Sequence, residues 1–506
     1  MATAKFKPRI LLYFALNLAF AVMLLLAHTL GGSSDPRIVY LILLFALCSS
    51  SVIDLDGLNG RYSLLGMFLA AYFVFYGFLD VTLMLNGSSN GPAEPPLNQS
   101  ELLILVGGIV LLGSYRAIVS LSNGAMKRQT PSDWSIPAIL LVGGALWSIG
   151  TYTMFFWHVH IVTDTTTAAV RSGFAKESPL SLALLILAQM MQPLGELLLV
   201  YAWRITRRSD LALLVVSLVV LQVVLGFIID IKGIAMFGGI IVIVSCVLID
   251  GKIPKTWVAA AAFFILFAFP VFQAYRAQVH GHLGMSRAAV VENFGNALQI
   301  ALSAKEKVNS GPNRAQAFFE RVSLKGSVEM IVKETGNTVQ FQNGASLTPI
   351  LAAFVPKIIW PKKPDVQTGR IVNRVFHVSD DPDTYISPSH LGELYWNFGW
   401  PGVIIGMSVI GSLLGFTARF NLAEGRTVTR LLVTVLAIQY LINGFEGAIA
   451  VSYVVWLRSM AVVALLHLIF SRNTVSKDKI IVVDPNLTDG PSERAYNVTP
   501  FPNLLR

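Results

Sequence analysis

Charge is scarce in this chain, and so are the residue clusters that ordinarily hold metals or nucleotides. Only 13% of its 506 residues are Asp, Glu, Lys or Arg, against 54% hydrophobic. That balance excludes an ordinary soluble domain. There are two cysteines, Cys48 and Cys246. Both lie inside apolar runs and read as small core residues, not as a disulfide or a metal pair. No glycine loop of the nucleotide-binding kind occurs, and no Asp-rich pair of the kind that holds a metal for sugar-nucleotide donors. His158 and His160 are metal-ligand types, but no further ligands cluster with them. We therefore expect no metal and no cofactor. A fixed-period repeat is also missing, which argues against an inverted-repeat transporter.

What is present is apolar sequence, in runs of about 20 residues, the length that crosses a bilayer. We place them near 10–29, 38–54, 62–85, 101–120, 135–157, 179–203, 210–230, 233–249, 256–275, 397–418, 428–444 and 448–470. The expected fold is an all-α polytopic membrane protein with about twelve spans, of which the second, eighth and eleventh are short. The Lys5, Lys7, Arg9 start before the first run reads as a retained helix. Basic residues set the orientation. Lys5, Lys7 and Arg9 share a side with Arg61, Lys127, Arg128, Arg204, Arg207, Arg208, Lys252, Lys255, Arg426, Arg430, Arg472, Lys477 and Lys479. The loop at 86–100, on the opposite side, has no basic residue. Both termini are expected to be cytoplasmic. The net charge of +9 is largely this topology signal and implies no nucleic acid.

Four regions follow: helices over 1–275, a large outer loop over 276–396, helices over 397–470, and a polar tail over 471–506. The tail reads as poorly ordered. The loop, roughly 120 residues long, is exempt from the charge rule, and loops of that length are usually functional. Within it, 315–335 is amphipathic. Asp365 is placed to cap a short helix through VQTGRIVNRVF, putting Arg370, Asn373, Arg374 and His377 on one face. Lys357, Lys362 and Lys363 lie just upstream, between prolines. Such convergent cations suit a pyrophosphate, and they suit lipid headgroups equally well. A second helix is expected from Ser387 as N-cap and Pro388 in the first turn. On it His390, Glu393 and Asn397 share a polar face, with Trp396 and Trp400 in the interfacial aromatic belt. A carboxylate or imidazole at that boundary suits a general base, and a plain anchoring cluster is the other reading. Glu196, Lys232 and Arg458 fall within apolar runs, where ionisable groups face the bundle interior or pair with one another. Arg276 marks the outer end of the ninth run.

The succession NGASL, FVPKIIWPKKP, a Gly-Arg before a short helix, and SHLGELYWNFGWPGVIIG resembles the oligosaccharide repeat-unit polymerases, the Wzy-type O-antigen polymerases of bacteria. Lys232, in DIKG, stands where that family often has arginine, and the similarity covers roughly 230–410. The resemblance implies a GT-C-like, metal-independent glycosyltransferase of the inner membrane acting on its periplasmic face. Its substrates would be undecaprenyl-pyrophosphate-linked oligosaccharides as donor and acceptor, with a chain-length regulator as a partner. Lys232, Arg276, Lys363, Arg370 and Arg374 would hold the donor pyrophosphate, and Asn397 would help bind substrate. Glu393 or His390 would accept the proton of the acceptor hydroxyl. An O-antigen ligase and a flippase of lipid-linked oligosaccharides are the alternatives.

Overall fold

The computed structural model describes residues 2–31, 37–53, 64–85, 97–121, 134–156, 179–228, 232–250, 253–264, 299, 322–352, 355, 359–360, 368–380, 384–422, 427–445 and 447–470. Among these the chain is helical, apart from one isolated bridge between Thr335 and Val339. The helices are α1 (Ala2–Gly31), α2 (Arg37–Ser49), α3 (Leu64–Tyr76), α4 (Phe78–Leu85), α5 (Gln99–Ser120), α6 (Ile136–Phe156), α7 (Pro179–Thr206), α8 (Ser209–Ile228), α9 (Lys232–Asp250) and α10 (Lys255–Phe263). Then come the loop helices α11 (Lys325–Glu334), α12 (Thr348–Ala352) and α13 (Thr368–Phe376), followed by α14 (Ser389–Leu422), α15 (Val428–Asn443) and α16 (Ile449–Phe470).

Six of the described helices are long and apolar enough to cross a membrane, or seven if α3 and α4, bent by 50°, count as one span. Three shorter apolar helices, Arg37–Val52, Gly238–Asp250 and Val428–Leu441, coincide with the runs expected to be short. This is a helical, membrane-embedded protein. Side chains such as Leu213, Leu141 and Ile405 stay exposed on these helices, as a lipid-facing surface requires.

Contacts between helix ends set α1 against α2, α2 against α3 and α15 against α16 as antiparallel pairs. At one end Tyr40 Oη donates to the Tyr76 carbonyl over 2.8 Å and the Leu324 amide donates to that of Phe75 over 2.9 Å. At the other, Tyr13 Oη donates to the Ala46 carbonyl over 3.2 Å, and Thr429 Oγ1 lies 2.8 Å from His467 Nδ1. Arg204 and Arg207 pair with Asp250 at this second end. Small residues set the tightest crossings. A side-chain carbon on Gly195 of α7 would overlap the Trp147 backbone of α6, so the two helices touch backbone to backbone there.

The sequence led us to expect a helix from Ser387 running straight into the membrane. Instead α14 breaks at Gly399, whose φ of 62° and ψ of −145° only glycine adopts without strain. The two halves fold against each other. A carbon on Gly402 would overlap the Leu394 carbonyl, and one on Gly406 the Leu394 side chain. Along a straight helix those pairs would stand about 12 and 18 Å apart. Gly107 of α5 likewise meets both Leu391 and Met407. The half before Gly399 is therefore re-entrant: it climbs beside the upper part of the second half, turns at Gly399, and the second half descends along α5.

Candidate functional site

The sequence places the N-cap of this helix at Ser387, with Pro388 in the first turn. The cap falls two residues later than expected. Ser389, with φ of 59°, accepts the Gly392 amide on its Oγ over 3.3 Å. Ser387 Oγ instead accepts the Ser389 amide and donates to the Phe445 carbonyl, each over 3.3 Å. On the short helix that follows, His390, Glu393 and Asn397 share one face, and each is fully buried.

The NGASL turn closes over this face. Asn343 and Gly344 take successive left-handed conformations, φ of 48° and 88°, which the Asn-Gly pair tolerates best. That curl sends the Gln342 and Asn343 amides to the Trp396 and Asn397 carbonyls over 3.0 and 3.1 Å, satisfying acceptors that the helix break leaves open. The Gly344 amide donates to Asn397 Oδ1 over 2.9 Å. Asn397 Nδ2 donates to Ser346 Oγ and to the Glu393 carbonyl, both over 2.7 Å. Ser346 Oγ in turn donates to Glu393 Oε1 over 2.7 Å. The other carboxylate oxygen, Oε2, accepts the Ile449 amide over 2.6 Å. Glu393 thus joins the NGASL turn to the first turn of α16, where a helix favours negative charge.

His390 is different. Among the described residues neither ring nitrogen has a hydrogen-bond partner, although the residue is wholly enclosed. Its ring lies 5.1 Å from that of Phe445 and 6.1 Å from that of Tyr453. Any side chain at Gly444 would strike His390 Nε2.

The basic helix α13 is tied to the segment entering α14, since the Ile386 amide donates to the Gly369 carbonyl over 3.1 Å. Phe376 also packs on Trp396 at 5.4 Å. The expected common face of α13 is corrected in two places. Asn373 turns inward and accepts the Ser379 amide over 2.8 Å, and His377 lies past the helix end with φ of 50°. Arg370 is half-buried and Arg374 exposed. Trp396 is buried and so leaves the aromatic belt in which we had placed it. Lys232 opens α9, with its side chain outside the described part. Arg276, Lys363, Lys357, Lys362, Asp365, His158 and His160 lie outside the described residues. Glu196 is buried in the bundle interior and accepts from Gln222 Nε2 of α8 over 2.8 Å.

Sequence reasoning missed a second cluster. Lys325, the first residue of α11, donates to Asp80 Oδ2 over 2.7 Å and to Glu101 Oε1 over 2.6 Å. Arg37 stands 3.6 Å from Asp80, and the Lys325 ammonium sits 4.6 Å from the centre of the Tyr40 ring. Glu101 is also half of a capping box with Asn98 at the start of α5. Burial opposes the charge on Lys325, but the two carboxylates outweigh it and hold the ammonium above the usual lysine pKa. Two signals were present: a carboxylate inside an apolar run at Asp80, and the Asn98…Glu101 box.

Fold and site together define a polytopic helical membrane protein. At one end of its bundle a re-entrant helix and a loop turn enclose a buried Glu–Ser–Asn cluster. The chain belongs to the DUF8712 family, a domain of unknown function, which matches residues 156–476. None of the curated proteins and none of the solved structures matches it.

Proposed function

We propose that the protein is a bacterial inner-membrane glycosyltransferase with about twelve spans, a GT-C-like architecture, cytoplasmic termini and a periplasmic site. In this reading it polymerises undecaprenyl-pyrophosphate-linked repeat units into surface polysaccharide. The acceptor hydroxyl oxygen attacks the donor's anomeric carbon, the bond to the pyrophosphate breaks, and lipid pyrophosphate departs. His390 or Glu393 takes the hydroxyl proton. Lys232, Arg276, Lys363, Arg370 and Arg374 bear on the charge that grows on the leaving pyrophosphate, and Asn397 holds the turn over Glu393.

The observation that carries this reading is the meeting of two distant motifs, NGASL and SHLGELYWN, around buried Glu393. They meet beside a basic helix and at the end of a membrane-crossing helix. A lipid-linked anion is the substrate whose chemistry needs polar groups at that level. The test is the full chain in nanodiscs with its organism's undecaprenyl-pyrophosphate repeat unit and a chelator, products resolved on a gel. A ladder lost in Arg276→Ala and in Glu393→Gln supports the polymerase. No ladder from folded protein refutes it and directs attention to ligase acceptors and then to lipid flipping.

A further inference from the structure

The last helix, α16, begins Gly447-Ala448-Ile449, with Ala448 in the capping position, since the Ser452 amide donates to its carbonyl. Alanine offers no side chain to the open amides of a first turn. The missing acceptor comes from another helix: Glu393 Oε2 takes the Ile449 amide over 2.6 Å. A helix N-terminus receives phosphate and carboxylate by the same backbone donors and the same partial positive charge.

A second observation points to a ligand at this place. His390, one turn before Glu393, sets its Nε2 edge against Gly444 and its ring near Tyr453 of α16, and among the described residues both of its nitrogens lack partners at full burial. Tyr453 Oη is buried and unpartnered as well. Buried polar atoms of folded proteins rarely go unpaired. Two such groups, unpartnered among the described residues, lie near a helix start whose cap comes from another helix.

We propose that the Glu393 carboxylate is a stand-in at the N-terminus of α16, in a seat that a phosphate group of the lipid-linked substrate takes on binding. The identity of that ligand rests on the polymerase reading. Phosphate and carboxylate compete for the Ile449 amide and repel each other, so the ligand's arrival displaces Glu393. The displaced side chain also leaves Ser346, which frees a carboxylate beside the bound donor. Donor binding and release of the base are then one event.

The test uses the full chain in nanodiscs and sugar-free polyprenyl pyrophosphate as the probe, with affinity read by native mass spectrometry and amide exchange followed over 343–347 and 449–452. Ser346→Ala removes the hydroxyl that holds the carboxylate in place and is expected to tighten binding about tenfold. In the wild type, the probe should deprotect 343–347 while 449–452 stays protected. Unchanged or weaker binding in Ser346→Ala, or binding that leaves exchange over 343–347 unaltered, overturns the proposal while the polymerase reading stands. Displacement without any polymer ladder from the full substrate has the opposite meaning: the seat survives and the polymerase fails. Absence of binding in both proteins, with native exchange patterns, removes the seat.

Discussion

Replacing Lys325 by methionine keeps the buried stem and removes the charge, leaving Asp80 and Glu101 facing each other without their shared cation. At 2.7 and 2.6 Å, each attraction is about 6 kcal/mol at an effective dielectric of about 20. The cost of burying the three ions offsets most of that sum. The penalty arises on removing one partner, since two anions are then left buried, and breaking a buried pair in this way costs about 3–5 kcal/mol. At about 1 °C per kcal/mol for a chain of this length, Lys325→Met should lower the thermal midpoint by about 3–5 °C. The assay is unfolding of the full chain in detergent, followed by tryptophan fluorescence. Lys325→Met combined with Asp80→Asn and Glu101→Gln should regain more than half of the loss. Glutamine at 101 still serves the capping box, and Arg37, partly exposed, keeps access to water. A single variant that melts within a degree or two of wild type would refute the argument that this cluster docks α11 on α4 and α5. So would a triple variant no better than the single.

The pH dependence of the same cluster has a defined sign. The Lys325 pKa is raised in the folded chain, so its contribution is complete below the unfolded value, about 10.4, and is lost as pH rises through the folded one. The difference in midpoint between wild type and Lys325→Met should thus not narrow through lysine titration between pH 7 and 9, and should narrow only above about 10.4; narrowing by pH 8.5 would contradict it. Gly399→Ala forces a side chain into a backbone region reserved for glycine and should cost about 1–3 kcal/mol, read as an earlier thermal transition; an unchanged midpoint would mean the break is not obligatory. Cys48 and Cys246 are 7% and 1% exposed, so a maleimide should label neither in the folded protein and both after denaturation; labelling of the native chain would show that the bundle opens.

Much of this architecture is readable in the chain. The apolar runs place the helices because burial in lipid demands long, charge-poor segments, and the short second, eighth and eleventh runs reappear as short helices. The Asn-Gly pair in NGASL announces a turn, and a turn is found. The fold-back at Gly399 was not readable. Apolar periodicity continues on both sides of it, so LGELYWNFGWPGVIIG looks like one helix, and only contacts across the hairpin reveal two. The burial of Trp396 has a distant cause in Phe376. Ser346 entered as part of a motif without a role, because its partners Glu393 and Asn397 lie 47 and 51 positions away. The Lys325 cluster shows the same limit at greater range.

That range bears on how the chain assembles. Lys325 is 245 residues from Asp80 and 224 from Glu101. At about 5–20 residues per second of synthesis, both carboxylates wait about 10–45 s after Glu101 is made before their cation exists. Throughout that interval the two acids have, from within this cluster, Arg37 alone to answer them. The final packing around Asp80 and Glu101 therefore waits for residue 325. A chain stopped before residue 325 should remain a substrate for membrane chaperones and proteases, so this one lysine acts as a checkpoint on completed synthesis.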